Sequence, residues 1–349
     1  MEKKLESFYI LHMSDFHISE QESVICETEK GLEEVVNVIK EKEKINISYL
    51  IHTGDIIDSS DLKEEFIKQK YTEEYRKVPT DIEYDNYLES IAKKRFEIAE
   101  TIFKNFVDRL EVLKANIVVC CGNHDRVHYK GEKKDDFALF ENFLRNLKQE
   151  SFEEKIMGVY QGNDLNVLVL NTNNENKANK KERVDKKEKK SVVCIKCEEV
   201  IRELESSEKN RIESTNWCYS SKNKENILVD TQKLNIIVAH KPLYDICEQA
   251  RLPYEAQTQT TDFLSKLQDF TNGSGIYLCG DKHTSSIAAS YIHDIPHYFC
   301  GHPFVFEKNE LPKGCFLKND SNEMKNGNIK KQGIDYNLIE VRNARVGQI

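Results

Sequence analysis

The chain reads as an α/β protein, and three features of its sequence predict that class. Apolar strand-like runs alternate with amphipathic helical stretches along most of its length. Short polar motifs stand directly after several of those runs, as in α/β proteins whose ligands lie outside the carboxyl ends of the strands. Later strand candidates follow one another without long helices between them, so part of the sheet is expected to be antiparallel or mixed.

Taken in order, Ser7 to Met13 is a buried-strand candidate that delivers Asp15 and His17 at its carboxyl end. Glu22 to Lys44 has helical spacing, with Leu32, Val35, Val36 and Ile39 on one face. Tyr49 to Thr53 is the second strand and ends at Gly54-Asp55. Residues 59–87, rich in Glu, Lys and Tyr, read as an insertion, and a long amphipathic helix follows from Tyr87 to Leu113 with Phe96, Ile102, Phe103 and Phe106 as core. Ala115 to Cys121 is the third strand, ending at Gly122-Asn123-His124-Asp125. Asp136 to Gln149 is helical. Ile156 to Tyr160 and Leu165 to Asn171 are strands separated by a Gln161-Gly162-Asn163-Asp164 turn.

Asn173 to Lys190 is lysine-rich and almost without apolar residues, which predicts a solvated loop. A helical pattern resumes at Cys194 to Ser206. Lys233 to Ala239 is a strand ending at His240, Thr261 to Phe270 is helical, and Gly275 to Cys279 is a strand ending at Gly280-Asp281-Lys282-His283. Short strands near Ile287, at His297 to Cys300 and at Tyr336 to Val341 complete the pattern. The expectation is one domain over residues 1–349, with insertions at 59–87 and 173–232.

Composition narrows the partners. The 349 residues are 39% hydrophobic, enough for a sizeable core, and 51 basic against 60 acidic residues leave a formal charge of -9. A field of that sign repels nucleic-acid phosphates, so such a partner needs a local basic groove. Clustered metal-binding carboxylates account for part of the negative count, and bound cations offset it. Met1 to Glu6 lead into the first strand without an apolar leader, and no stretch reaches transmembrane length. The ten cysteines therefore read as reduced thiols of a cytoplasmic protein with no membrane partner.

The polar motifs carry the chemistry. Two adjacent metals need a shared ligand, and Asp55 is placed to bridge them with its two oxygens. Asp15 and His17, two residues apart on an extended segment, point to the same side and reach one ion. Asn123 offers an amide oxygen and His240 an imidazole to the other, and His283 repeats behind Asp281 the spacing of Asp15 and His17. Mixed oxygen and nitrogen donors suit Mn²⁺, Fe or Zn²⁺ better than an all-oxygen magnesium cage.

These motifs resemble those of the calcineurin-like metallophosphoesterase superfamily, whose pattern is D-x-H, G-D, G-N-H-[DE], H and G-H-x-H. The likeness runs from Asp15 to His283, and four of the five motifs are unaltered. It implies a four-layer α/β/β/α sandwich with two mixed sheets and a dinuclear centre at strand carboxyl ends. It assigns Asp15, His17, Asp55 and His283 to the first metal, and Asp55, Asn123, His240 and residue 281 to the second. At that last position the family has His and this chain has Asp281. A carboxylate there is a harder ligand that biases the second site towards Mn²⁺ over Zn²⁺; the alternative is that Asp281 points away.

What the resemblance implies chemically is a dinuclear, metal-dependent phosphoesterase with Mn²⁺ as the favoured ion. Two ions roughly 3.5–4 Å apart clamp a phosphate and generate a bridging hydroxide that attacks phosphorus in line. His124 protonates the leaving oxygen and Asp125 orients it. The substrate expected is a phosphate mono- or diester of nucleotide type. The alternative is a DNA or RNA nuclease related to the bacterial DNA-repair exonucleases that work in larger complexes. Those carry a capping domain after the last motif, for which the residues after His283 leave little room. A third reading, a non-catalytic scaffold, is disfavoured by the retention of His124 and Asp125.

Other residues have plainer readings. His12 and His52 lie inside strands and read as core or as support for the ligands. His128 follows the third motif closely and reads as an ordinary polar residue, with substrate contact the lesser alternative. His293 and His297 carry no strong signal. Cys194 and Cys197 have metal-knuckle spacing without a second pair, so they read as packing residues. Trp217 and Tyr219 fit base stacking or filler equally well. Gly301-His302 reads as a loop facing the site.

Overall fold

In the computed structural model the described residues are 7–130, 136–148, 158–170, 217–218, 234–241, 275–281, 297–299, 315–317 and 336–342. Five strands form the first sheet: β1 (Ser7–Met13), β2 (Tyr49–His52), β3 (Ile117–Val119), β10 (Cys315–Leu317) and β11 (Asn337–Arg342). Their order is β10-β11-β1-β2-β3, so the strand that carries the first motif is central. β1 pairs parallel with β2, and β2 with β3, which sets three motif-bearing carboxyl ends side by side. β11 returns antiparallel along β1 and makes the sheet mixed.

The second sheet holds β4 (Gly158–Gln161), β5 (Leu165–Leu170), β6 (Trp217–Cys218), β7 (Leu234–Ala239), β8 (Ile276–Cys279) and β9 (His297–Phe299) in the order β6-β4-β5-β7-β8-β9. β5, β7, β8 and β9 run parallel, while the β4–β5 hairpin is antiparallel.

Strand periodicity divides the buried side chains between two cores. Ile10, Tyr49, Ile51, Val118 and Ile339 point from the first sheet towards Val167, Val169, Ile236, Val238 and Leu278 of the second. Their neighbours Leu11, Met13, Leu50, Ile117 and Val119 point the other way, into a helical layer. The outer positions Leu168, Leu170, Ile237, Tyr277 and Cys279 are buried too. The described residues thus give helix, sheet and sheet. The helices expected at Cys194 to Ser206 and Thr261 to Phe270, which would form the fourth layer, lie outside them, as does the strand near Ile287.

The helical layer contains α1 (Glu22–Val36), α2 (Glu64–Tyr75), α3 (Asp81–Leu110) and α4 (Ala138–Lys148). α1 continues into a π-helical turn over Asn37–Lys42 that buries Ile39 beside Leu32, Val35 and Val36. α3 begins earlier than its apolar pattern indicates because Thr80 and Glu83 form a capping box. Asp81 and Glu83 also place negative charge at that end of the helix dipole. At its other end Glu111 takes a left-handed conformation and stops the helix before Leu113. The stretch 59–87 is therefore helical over much of its length, and α2 docks on α3 through Tyr71, whose ring lies 5.3 Å from that of Tyr87.

Among the described residues no helix is long and apolar enough to cross a membrane. Cys120, Cys121 and Cys279 are buried, and burial pushes the thiols of Cys120 and Cys121 up, so both behave as core residues.

Phe103 joins this layer to the motif loops. It is fully buried, with its ring 5.7 Å from Phe16, 5.6 Å from His52 and 6.1 Å from Phe143. Phe103→Ala is expected to lower the unfolding free energy by about 3–5 kcal/mol, with Phe103→Leu costing less. Chemical denaturation measures this, and a loss under about 1 kcal/mol would show that the ring is not a keystone of the layer.

Candidate metal centre

The centre forms where β1, β2, β3, β7 and β8 end. Asp15 N–H donates to Gly54 C=O at 2.9 Å, His17 N–H to Asp55 C=O at 3.0 Å, and Gly280 N–H to His240 C=O at 2.9 Å. The turns that follow are unusually sharp. Asp15, His17, Asp55 and Asp281 all adopt left-handed backbone, with φ of 57°, 48°, 56° and 70°. Asp and His tolerate this region better than bulky residues, but each such residue costs on the order of 1 kcal/mol. Close approach also demands glycine. A Cβ on Gly122 would lie 2.0 Å from Asp55 Oδ1, and one on Gly280 would lie 2.4 Å from Asp15 Oδ2.

The expected donors converge. His17 Nε2 lies 3.7 Å from both Asp15 Oδ1 and Asp55 Oδ2. His240 Nε2 lies 3.2 Å from Asp55 Oδ2, 3.0 Å from Asn123 Oδ1 and 3.5 Å from Asp281 Oδ1. Donor atoms of Asp15, Asp55 and His240 fall within 4.8 Å of one another, and so do those of His17, Asp55 and His124. Asp55 belongs to both groups, as a shared carboxylate must. His283 lies outside the described residues, as do Cys194, Cys197, Tyr219, His293 and His302.

Electrostatics and tautomers suit cations here. His240 Nδ1 lies 2.9 Å from the Thr53 carbonyl; donating to it leaves Nε2 as the ligating nitrogen. Burial works against a charge on His240, yet Asp55, Asp281 and Asp15 outweigh it and raise its pKa well above the ordinary imidazole value. Burial alone would raise Asp55, but facing His240 brings it below the usual carboxylate range. The buried carboxylates thus demand positive charge, which divalent ions satisfy through the same oxygen and nitrogen atoms. The donor set fits the implied metals.

His12 and His52 support the centre from beneath. Burial pushes each down to about 3, partly opposed by Asp15, so both stay neutral. His12 Nε2 lies 3.1 Å from Thr53 Oγ1, and His52 Nδ1 accepts from Gly54 N–H at 3.2 Å.

One carboxylate makes contacts other than those read in the sequence, and a second was not singled out there. Asp125, expected to orient His124, is fully buried and turned towards backbone. Its Oδ2 accepts from Asp55 N–H at 2.9 Å and Gly122 N–H at 2.8 Å, and its Oδ1 from Ile56 N–H at 2.8 Å and Ile57 N–H at 3.2 Å. Burial, then the charge of Asp55, pushes it up to about 6, against the pull of those N–H groups. The carboxylate beside His124 is Asp58, with Oδ1 3.3 Å from Nδ1. Burial opposes its charge, but His124 and the Ser60 N–H hold Asp58 well below the usual carboxylate range. Burial lowers His124, and Asp58 and Asp55 more than reverse this, so its pKa lies above the ordinary value.

Ser59 N–H also reaches His124 Nδ1, at 3.0 Å. Nδ1 accepts from Ser59 when bare and donates to Asp58 when protonated, and in both cases Nε2 is left for substrate. Asp58 was missed in the sequence, although its place three residues after Asp55 was a usable signal. His128, for which substrate contact is the lesser reading of the sequence, is about half exposed and has Nδ1 3.6 Å from Asp136.

A family model described as calcineurin-like phosphoesterase matches residues 8–302. Comparison with curated proteins returned no match. Among solved structures the chain is similar to a dimetal phosphatase from Danio rerio, at 11% identity and a TM-score of 0.40, covering 84% of this chain and 87% of that one. It is similar to phosphopantetheinyl hydrolase from Mycobacterium tuberculosis, at 12% identity and a TM-score of 0.35, covering 84% and 89%. A purple acid phosphatase from yellow lupin shows 13% identity and a TM-score of 0.34, with 80% of this chain and 38% of that chain covered.

Asp125→Asn tests the backbone role. An amide turns its NH₂ towards two of the four N–H donors, and each buried donor left unsatisfied costs about 1–3 kcal/mol. The expected result is a clear drop in the thermal unfolding midpoint of the metal-free protein. An unchanged midpoint would mean that the carboxylate does not organise these loops.

Proposed function

Because the chain belongs to the calcineurin-like phosphoesterase family, and is thereby a metal-dependent hydrolase of phosphate esters, we propose the following division of labour within its centre. Asp15, His17, Asp55 and His283 hold one ion, and Asp55, Asn123, His240 and Asp281 hold the other. The observation that carries the shared carboxylate is the membership of Asp55 in both donor groups, Asp15–Asp55–His240 and His17–Asp55–His124. The allotment of the other ligands follows the family pattern. The 3.5 Å approach of Asp281 Oδ1 to His240 Nε2 supports ligation by Asp281. The extra carboxylate favours Mn²⁺ at that site.

When bound, the ions supply charge neutralisation of the phosphate oxygens and an activated water. The protein's own residues do the rest. His124 gives its Nε2 proton to the leaving oxygen. Asp58 fixes the ring by accepting the Nδ1 proton and stabilises the imidazolium before transfer. Asp55 Oδ1 accepts from the backbone N–H of His124 at 2.8 Å, so the main chain that carries the acid is tied to the shared carboxylate. Asp125 keeps the backbone of Asp55 in its left-handed turn.

The proposed substrate is a phosphate ester of nucleotide type, handled in the cytoplasm. Metal analysis of the purified protein, with turnover of an aryl phosphodiester in Mn²⁺, tests the centre. Comparing phosphomonoesters, cyclic nucleotides and single-stranded DNA then tests the substrate class, and preferential cleavage of DNA would replace the nucleotide reading with a nuclease. His124→Ala is expected to retain metal and lose about 10²–10⁴-fold in kcat. Normal turnover by that variant would remove His124 from the mechanism. Asp281→Ala should lower the bound-metal stoichiometry towards one ion, and undiminished loading would place Asp281 outside the ligand set.

A further inference from the structure

Arg95 lies on α3, remote in sequence from every motif, yet its guanidinium ends beneath the loops that carry the centre. It is only 1% exposed. Its Nε donates to Glu20 Oε2 at 2.7 Å. Its two terminal nitrogens grip the Asp61 carboxylate as a fork at 2.7 and 2.9 Å, and Nη1 also donates to the Asp58 carbonyl. Glu20 stands just after the Asp15/His17 motif, and Asp58 and Asp61 just after Gly54-Asp55. One planar cation therefore ties both motif loops to α3. The loops also meet directly, through a parallel bridge between Ile18 and Ile57 and a 3.0 Å bond from Asp58 N–H to Ile18 C=O.

Residue 58 is what this clamp holds. The Asp58 carboxylate and the Ser59 N–H are the two groups that meet His124 Nδ1, at 3.3 and 3.0 Å. Both lie within one residue of the carbonyl that Arg95 grips. The Asp61 side chain is 56% exposed and water can satisfy it, so the ion pair is not needed to rescue a buried carboxylate. Burying a guanidinium is costly, and here it fixes the geometry of a short turn. The metal-bearing residue Asp55 is held independently, by Asp125.

Building on the reading of His124 as general acid, we propose that Arg95 is a positioning residue for proton delivery. It locks the turn over residues 58–61 so that Asp58 keeps His124 directed at the leaving oxygen. Its importance then depends on how much the leaving group needs a proton. A nitrophenolate departs without one, whereas an alkoxide does not.

The test compares bis(para-nitrophenyl) phosphate with a dinucleotide, or para-nitrophenyl phosphate with glycerol phosphate if the protein proves to be a monoesterase. Arg95→Met, which keeps the packed stem, is expected to retain both metals. It should lower kcat on the alkyl ester by about tenfold or more, with KM little changed, and lower kcat on the aryl ester by less than about threefold. Arg95→Lys, which keeps a cation without the fork, should fall between and is the variant to read if Arg95→Met does not fold. Equal losses on both esters, or none on the alkyl ester, would overturn the proposal. His124→Ala on the same pair separates the two readings. If it shows no leaving-group selectivity, the general-acid assignment fails and Arg95 falls with it; if it does and the Arg95 variants do not, only the Arg95 proposal fails.

Discussion

The Asp55 carboxylate is the constraint on which the centre depends. Two groups of donor atoms share it, it accepts the His124 N–H, and the backbone on which it sits is bonded to Asp125. The sequence suggests a bridge through both Asp55 oxygens, but Oδ2 alone faces both His17 and His240, while Oδ1 is bound by a backbone N–H. A side chain on a mobile loop could not hold that orientation. The fold meets that need with a left-handed residue between two parallel strands, a glycine opposite that leaves room for the carboxylate, and a second carboxylate that satisfies the exposed backbone donors. Each is unfavourable in isolation, and together they define one geometry.

Charge and strain at the centre have the same origin. Strands that stop at the same level deliver their polar residues into one small volume, where Asp15, Asp55 and Asp281 surround His240. Those carboxylates raise the pKa of the imidazole well above its ordinary value. The same atoms are the proposed ligands of the cations. Loading the centre is therefore expected to stabilise the folded chain by mass action, since an unfolded chain cannot assemble the set. The positive-φ turns are tolerated because the sheets on either side over-determine their position.

The helical layer contributes more than burial. Phe103 packs under Phe16 and His52, so the core of α3 reaches the middle residue of the first motif and a residue just before the second. Arg95, two turns earlier on the same helix, reaches the loops just after them. One long helix thus braces the centre from below, and its early start at the Thr80 capping box secures the region where α2 docks.

The α/β class, the strands that carry each motif and the candidate ligands can all be read from the order of residues alone. Those properties are local: a strand of alternating period delivers whatever follows it, and Asp15, His17, Asp55, Asn123 and His240 each stand at a strand end. Tertiary structure decided what each remaining carboxylate does. Asp125 is next to His124 in sequence, yet its oxygens accept from four backbone N–H groups, those of residues 55–57 and of Gly122. Asp58 came to His124 from another strand end, and Arg95 came to both loops from a helix. Contacts between residues 34 to 75 positions apart depend on strand order and turn geometry, which no local pattern encodes.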